Sequence, residues 1–88
     1  MGKLLIVKII IFFVMTLIEN VRDLLKEEGA TNVPDMLEIF ELKYSRRVNI
    51  GSLYAVIDKL YRDGEINFFC KRVSDSGEHE LRHYYMRR

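Results

Sequence analysis

The spacing of the hydrophobic positions changes twice along the chain and divides it into three regions. Residues 4–18 are almost continuously apolar. From residue 21 to residue 60 the apolar residues recur every three or four positions, which is typical of amphipathic helices. From residue 65 onwards apolar and polar residues alternate, which is typical of half-buried strands. The pattern therefore predicts a helical region that is followed by strands.

The first region predicts a long hydrophobic N-terminal helix. The residues that follow the apolar run keep helical spacing up to Gly29, a residue type that commonly ends helices. We therefore predict one helix over residues 3–28, while the β-branched residues of 6–11 leave a strand open as the alternative for its first turns. A helix that is apolar on every side must also be buried on every side.

One small domain can cover only one side of such a helix, so we expect a second copy of the chain to cover the other. The expected contacts of this homodimer are Ile6, Ile9, Ile10, Phe13 and Leu17. The alternative is a membrane anchor or a secretory signal over residues 4–18. Lys8 interrupts that run, Glu19 ends it before the roughly 20 residues of a membrane-spanning helix, and no small-residue cleavage site follows.

Two shorter helices joined by a turn are predicted within residues 33–63. Thr31 or Asn32 can cap the first helix, and Asn49 can cap the second, which Gly64 ends. A short helix, a tight turn and a second amphipathic helix form the helix-turn-helix plan. The apolar stripe of the second helix consists of Ile50, Leu53, Val56, Ile57 and Leu60.

Residues 65–86 predict a β-hairpin, which we call the wing, because the alternation reverses around a turn cluster at residues 74–77. We expect a register in which Phe69 pairs with Arg82. The predicted fold class is therefore α+β, mainly α: a winged helix-turn-helix of three helices and a two-stranded hairpin, forming a single domain over residues 1–88.

The composition argues against several classes of function. A chain of 88 residues is short for most enzyme scaffolds, and it contains no nucleophile–base constellation and no Gly-rich phosphate loop, so we expect no enzyme activity and no cofactor. The single cysteine, Cys70, excludes a disulfide framework and fits the cytoplasm. Cys70, His79 and His83 share one face in the expected register, but they are too widely spread for a metal site, and we expect a buried Cys70.

The net charge of +1 conceals an uneven distribution. Residues 1–45 carry five basic and seven acidic side chains, whereas residues 46–88 carry nine basic and six acidic ones. Such polarity suggests that the C-terminal half faces an anion. In a helix-turn-helix, the N-terminal residues of the second helix reach base edges, and cations nearby hold phosphates. The expected DNA contacts are Arg46, Arg47, Asn49, Ser52, Tyr54 and Lys59, with Lys71, Arg72, Ser76 and Arg82 on the wing.

Three short motifs resemble the PadR-type transcriptional regulators. They are Gly51-Ser52-Leu53-Tyr54, then Arg62-Asp63-Gly64-Glu65-Ile66 and, on the returning strand, Arg82-His83-Tyr84-Tyr85. The resemblance covers about residues 30–86, and Ala55 stands where that family usually has proline. It implies a winged helix that binds duplex DNA. The family's C-terminal dimerisation helices have no counterpart after the wing here, so we expect the N-terminal helix to dimerise the protein instead.

The sequence therefore predicts a small homodimeric transcriptional regulator in the cytoplasm. Its recognition helix, residues 49–63, would enter the major groove, and residues 66–86 would lie on the flanking backbone. Two alternatives stay open. One is a winged helix that binds another protein through its acidic residues 19–41, and the other is a small membrane-associated protein anchored by residues 4–18.

Overall fold

The computed structural model describes residues 16–72 and 80–88. Within these residues the chain forms three helices followed by a two-stranded antiparallel sheet. The helices are α1 (Leu17–Glu28), α2 (Val33–Lys43) and α3 (Ile50–Arg62), and the strands are β1 (Ile66–Arg72) and β2 (Glu80–Met86). This α+β, mainly helical architecture confirms the predicted class and is compatible with a winged helix.

Each of these helices begins at a polar residue with an extended backbone. The side chains of Thr16, Asn32 and Asn49 accept hydrogen bonds from backbone amides in the first turn of α1, α2 and α3. Asn32 is thus the cap of α2, where the sequence left a choice between two residues. A cap of this kind satisfies an amide that has no partner inside the helix. Local chemistry therefore sets where the helices start.

Helix α1 begins later than the sequence predicted. The backbone of Thr16 is extended (φ −71°, ψ 162°), and its hydroxyl accepts a hydrogen bond from the Glu19 amide at 3.3 Å. One uninterrupted helix over residues 3–28 is therefore wrong. The spacing of Thr16 and Glu19 is that of a capping box, a signal that the apolar run around it obscured. The predicted dimer contacts Ile6, Ile9, Ile10 and Phe13 lie outside the described residues.

Leu17 is the predicted dimer contact that the structure describes. Its side chain is half-buried and packs against the core of its own chain, so part of its apolar surface is already covered.

Among residues 16–72 and 80–88, no helix combines the length and the apolar character that a membrane crossing requires.

The core lies where α1, α2 and α3 meet the base of the sheet. Its buried hydrophobic side chains are Val21, Leu24, Leu25, Val33, Met36, Phe40, Tyr44, Leu53, Ile57, Leu60, Ile66 and Tyr84. Burying one large aliphatic or aromatic side chain contributes about 1.5–3 kcal/mol. Ile50 departs from the predicted stripe of α3, because 52% of its surface is exposed.

The end of α3 turns the chain into the sheet. Gly64 has a φ of +77°, a left-handed conformation that costs glycine little. Its amide donates to the Tyr61 carbonyl oxygen at 3.0 Å, and the Glu65 amide donates to the Leu60 carbonyl oxygen at 2.9 Å. These two hydrogen bonds form a Schellman motif, which confirms that Gly64 ends the helix.

Ion pairs join α1 to the last residue of α2 and to the segment that follows α3. Arg22 donates from Nε and Nη2 to the two carboxylate oxygens of Glu65 at 2.9 and 2.8 Å. These hydrogen bonds hold the pKa of Glu65 below its ordinary value and raise the pKa of Arg22. At the other end of α1, Glu28 accepts a hydrogen bond from Lys43, which raises the pKa of that ammonium group.

The sheet pairs one residue away from the predicted register. Cys70 lies opposite Arg82 and Phe69 lies opposite His83, so the predicted pairing of Phe69 with Arg82 is wrong. A shift of one residue moves every side chain of a strand to the other face. Cys70 and His83 therefore do not share a face. Cys70 is also exposed, and the expectation that it is buried is wrong as well.

Burial of Tyr84 accounts for this register. Its side chain is 5% exposed and lies on the same sheet face as Ile66 and Phe68, against the helices. The predicted register would have placed Tyr84 on the opposite face from those two residues. The backbone of Tyr84 also exchanges two hydrogen bonds of 3.0 Å with Thr31, just before α2. Strand β2 is thus held on both sides at this residue.

The register can be tested with the native cysteine. Substituting Arg82→Cys places a second thiol directly opposite Cys70, where Cα atoms of paired residues lie about 4.5–5.5 Å apart, within the range of a disulfide. We expect Arg82→Cys to form an intramolecular disulfide under mild oxidation, and Leu81→Cys, on the other face, to keep both thiols. Mass spectrometry after alkylation counts the free thiols. A disulfide in Leu81→Cys alone would support the other register.

The Arg22–Glu65 pair predicts a contribution to stability that depends on pH. Because the pKa of Glu65 is lower in the folded than in the unfolded protein, the stabilisation is complete above the unfolded value and is lost as the pH falls through the folded value. We expect the decline in melting temperature from pH 7 to pH 3 to be smaller in Glu65→Gln, whose side chain does not titrate. Glu38→Gln, an exposed carboxylate of α2, is the control, and identical profiles for both variants would contradict the prediction.

Candidate nucleic-acid interface

Helix α3 and the face of the sheet turned toward it form the walls of an open groove. Two adjoining cavities of about 270 and 330 Å³ lie along it. The smaller cavity is also lined by the start of α2 and by Glu80, and the wider one by Asp58. Tyr54 of α3 and Arg82 and Tyr84 of β2 line both cavities, and Tyr61 and Phe68 line the wider one. The groove brings a helix and a strand that are far apart in the sequence to one surface of the molecule.

Arg82 is oriented in the groove by an aromatic ring. Its guanidinium carbon lies 4.5 Å from the centroid of the Phe68 ring, a cation–π contact. The neighbouring ring on the outer face, Phe69, stacks on His83 at 5.3 Å instead. By the pairing register, Arg72 shares the inner face with Arg82, whereas Lys71 lies on the outer face. The corrected register thus places two of the predicted DNA contacts on the side of α3.

The cations of α3 are balanced by carboxylates on the same helix. Lys59 Nζ lies 3.4 Å from an Asp63 carboxylate oxygen, and Arg62 Nη2 lies 2.6 Å from one of Asp58. Exposed pairs with this spacing contribute only about 0.3–0.5 kcal/mol each, so a phosphate could displace either carboxylate. With its C-cap Asp63, α3 carries two cations and two carboxylates and is electrically neutral. Lys59, a predicted DNA contact, is therefore partly neutralised.

The two arginines before α3 have different surroundings. Arg46 is half-buried and donates from Nη1 to the side-chain oxygen of Asn20 at 2.6 Å, so it ties the turn after α2 to α1. The side chain of Arg47 is 91% exposed and lies 3.5 Å from a Glu41 carboxylate oxygen. Of these two predicted contacts, Arg47 has the exposure that a phosphate contact needs, whereas Arg46 has a structural role.

The first turn of α3 is organised by Asn49. Its Oδ1 accepts hydrogen bonds from the amides of Gly51 at 2.9 Å and Ser52 at 3.2 Å. A Cβ atom at Gly51 would lie only 3.1 Å from that oxygen, so the glycine leaves space for the cap. Ser52 is exposed in the same turn. Asn49 therefore positions the exposed start of α3, including the predicted contact Ser52.

The hairpin and the two residues after it carry a net positive charge. Residues 66–88 contain five cations and three carboxylates: Lys71, Arg72, Arg82, Arg87 and Arg88, with Asp75, Glu78 and Glu80. The five cations and Glu80 are exposed. The sequence prediction did not include Arg87 and Arg88, although an arginine pair directly after a basic strand was a visible signal. Ser76, another predicted contact, lies outside the described residues.

The described residues group no three His, Cys, Asp or Glu side chains in a way that could hold a metal ion.

Comparison of the chain with protein-family models, with curated proteins and with solved structures gives no match. The resemblance to PadR-type regulators therefore stays a prediction that rests on the motifs quoted above.

The cap of α3 can be tested by substitution. Asn49→Ala removes the side-chain oxygen that accepts two backbone amides, so we expect the free energy of unfolding to fall by about 1 kcal/mol. Asn49→Asp keeps a capping oxygen and is expected to retain wild-type stability. Urea denaturation followed by circular dichroism measures both variants, and equal stability of Asn49→Ala and wild type would contradict a capping role.

Proposed function

We propose that this protein is a winged helix-turn-helix regulator that binds duplex DNA in the cytoplasm as a homodimer. The observation that carries the proposal is the position of the exposed, electrically neutral α3 opposite Arg82 of the hairpin across one groove. The exposed free thiol of Cys70 is compatible with the reducing conditions of that compartment.

In this proposal α3 enters the major groove, which is about 12 Å wide and accommodates a helix. Phosphate contacts fix the position of a protein on DNA, and contacts to base edges provide specificity. The two kinds of contact would be divided between the elements: α3 would meet the bases, and the hairpin, as the wing, would meet the backbone. Tyr54 and Arg82 lie on opposite walls of the protein groove between α3 and the sheet. In this proposal, the Tyr54 hydroxyl and the Arg82 guanidinium bind a phosphate of the DNA strand that passes between them.

The homodimer is part of the proposal because a core of this size supplies only about 3–5 kcal/mol by itself. Two copies related by a twofold axis would set two α3 helices about 34 Å apart, on the half-sites of a pseudo-palindrome. The partly covered Leu17 at the start of α1 leaves some apolar surface for the partner chain.

A second candidate function is binding to a protein through the acidic surface of α1 and α2. One observation favours it: Leu42 is 75% exposed on α2, close in sequence to the carboxylates Glu38 and Glu41. An exposed leucine beside acidic residues suits a partner with basic and apolar side chains. Failure of the protein to bind DNA would favour this function.

The proposal predicts different effects for Ser52→Ala and Arg72→Ala. Electrophoretic mobility shifts with a random 30-bp duplex pool at about 50 mM salt measure bulk binding, and sequencing of the bound fraction measures preference. We expect Arg72→Ala to weaken binding to all sequences and to reduce the slope of log affinity against log salt by about 1. We expect Ser52→Ala to change the preferred bases while leaving bulk affinity nearly unchanged.

Lys26→Ala is the matched control, because Lys26 is an exposed cation on α1. If Lys26→Ala and Arg72→Ala weaken binding equally, the hairpin has no special role in binding, and the proposed division of contacts is wrong. If the wild-type protein shifts no duplex at micromolar concentration, DNA binding itself is refuted.

A further inference from the structure

We infer that the first two turns of α3 recognise the methyl groups of thymine, so that the preferred DNA sites carry A·T pairs opposite Ile50 and Ala55. This inference rests on the proposed DNA binding and specifies which chemical groups of the DNA are read. It follows from the exposure of α3, from the side chains that α3 lacks and from the distribution of charge.

Ile50 is an aliphatic residue that is not part of the buried core. It is the first residue of α3 and continues the apolar spacing of the helix, yet 52% of its surface is accessible. Tyr54, one turn later, is 49% exposed, and Gly51 and Ala55, which follow Ile50 and Tyr54 in the sequence, are exposed as well. The start of α3 therefore presents an apolar surface, and its two small residues let the helix backbone approach a partner closely.

The side chains that read guanine and adenine are missing from this surface. Residues 50–57 contain no charged and no amide side chain, so no Arg, Lys, Asn or Gln can make a bidentate hydrogen bond with a purine there. The hydroxyls of Ser52 and Tyr54 can each donate or accept a hydrogen bond, so Ser52 can add to the base preference without making the bidentate contact that reads a purine. The thymine methyl is the apolar group that base edges offer in the major groove, and apolar side chains are its usual contacts.

The charge distribution selects DNA over an apolar protein partner as the occupant. The cations of α3 lie in its later turns and are paired with Asp58 and Asp63, so the helix offers the phosphates no net charge. Residues 66–88, the hairpin and the two residues after it, carry five cations against three carboxylates and are therefore net positive. A neutral apolar helix end next to a cationic strand pair complements a duplex, whose base edges are uncharged and whose backbone is anionic.

Replacing thymine by deoxyuridine tests the inference, because it removes the methyl group and leaves the base pairing unchanged. The probe is the duplex that binds best after selection from the random pool, prepared with thymine or with deoxyuridine at each A·T position. Fluorescence anisotropy measures the affinity. We expect the affinity to fall about fourfold for each contacted methyl that is removed, the effect of exposing a group of this size to water.

The variants Ile50→Ala and Leu42→Ala locate the contact on the protein. Both remove an exposed aliphatic side chain, but Leu42 lies on α2. We expect the loss caused by deoxyuridine to shrink in Ile50→Ala and to stay unchanged in Leu42→Ala. The thymine and deoxyuridine probes are also compared with wild-type protein. That comparison tests the inference even if one of the variants fails to fold.

The possible failures of the inference and of the proposed function can be distinguished. Tight, selective binding with equal affinity for thymine and deoxyuridine probes overturns the inference and leaves DNA binding in place. Enrichment of G·C pairs opposite α3 has the same consequence. A protein that binds no duplex overturns both, and would point to a protein partner for the apolar surface.

Discussion

The burial of Tyr84 determines how the sheet sits on the helices. Its ring packs 5.7 Å from that of Phe68, and its backbone is bonded to Thr31, so β2 cannot slide or rotate without exposing an aromatic ring and losing hydrogen bonds. Because side chains alternate along a strand, placing Tyr84 inward also places Arg82 and Arg72 inward. The groove beside α3, with Arg82 in its wall, follows from this one packing constraint.

On the two sides of that groove, the hairpin carries the net positive charge and α3 is electrically neutral. Lys59 and Arg62 are balanced within α3 by weak, exposed pairs, whereas residues 66–88 carry five cations against three carboxylates. Electrostatic attraction to a polyanion is non-directional, so it can be supplied by a strand pair at the side of the site. The neutral surface of α3 can then recognise its partner through shape and short-range contacts. The net charge of +1 is thus a poor guide to what this surface can bind.

Helix boundaries could be predicted where the signal was local and not masked by its neighbours. Asn49 and Gly64 were recognised as the cap and the end of α3, because each acts through hydrogen bonds within a few residues. Thr16 caps α1 by the same chemistry, but it lies in an apolar run whose helical spacing suggested a continuous element. The exposure of Ile50 was not predictable either. Ile50 has the same helical spacing as the buried residues of α3, and spacing alone does not show where along the helix the core ends.

The order and type of the described elements could be predicted from the sequence, because caps, periodicity and turn residues act over short distances. The register of the hairpin was decided by tertiary structure. Phe69 opposite Arg82 looked plausible in isolation, and the contact that excluded this pairing lies between Tyr84 and Thr31, more than 50 residues apart in the chain. The roles of the arginines were decided in the same way. Arg46 and Arg47 are neighbours in sequence, but only Arg46 meets the side chain of Asn20 on α1. Long-range packing selects among patterns that local chemistry leaves equivalent.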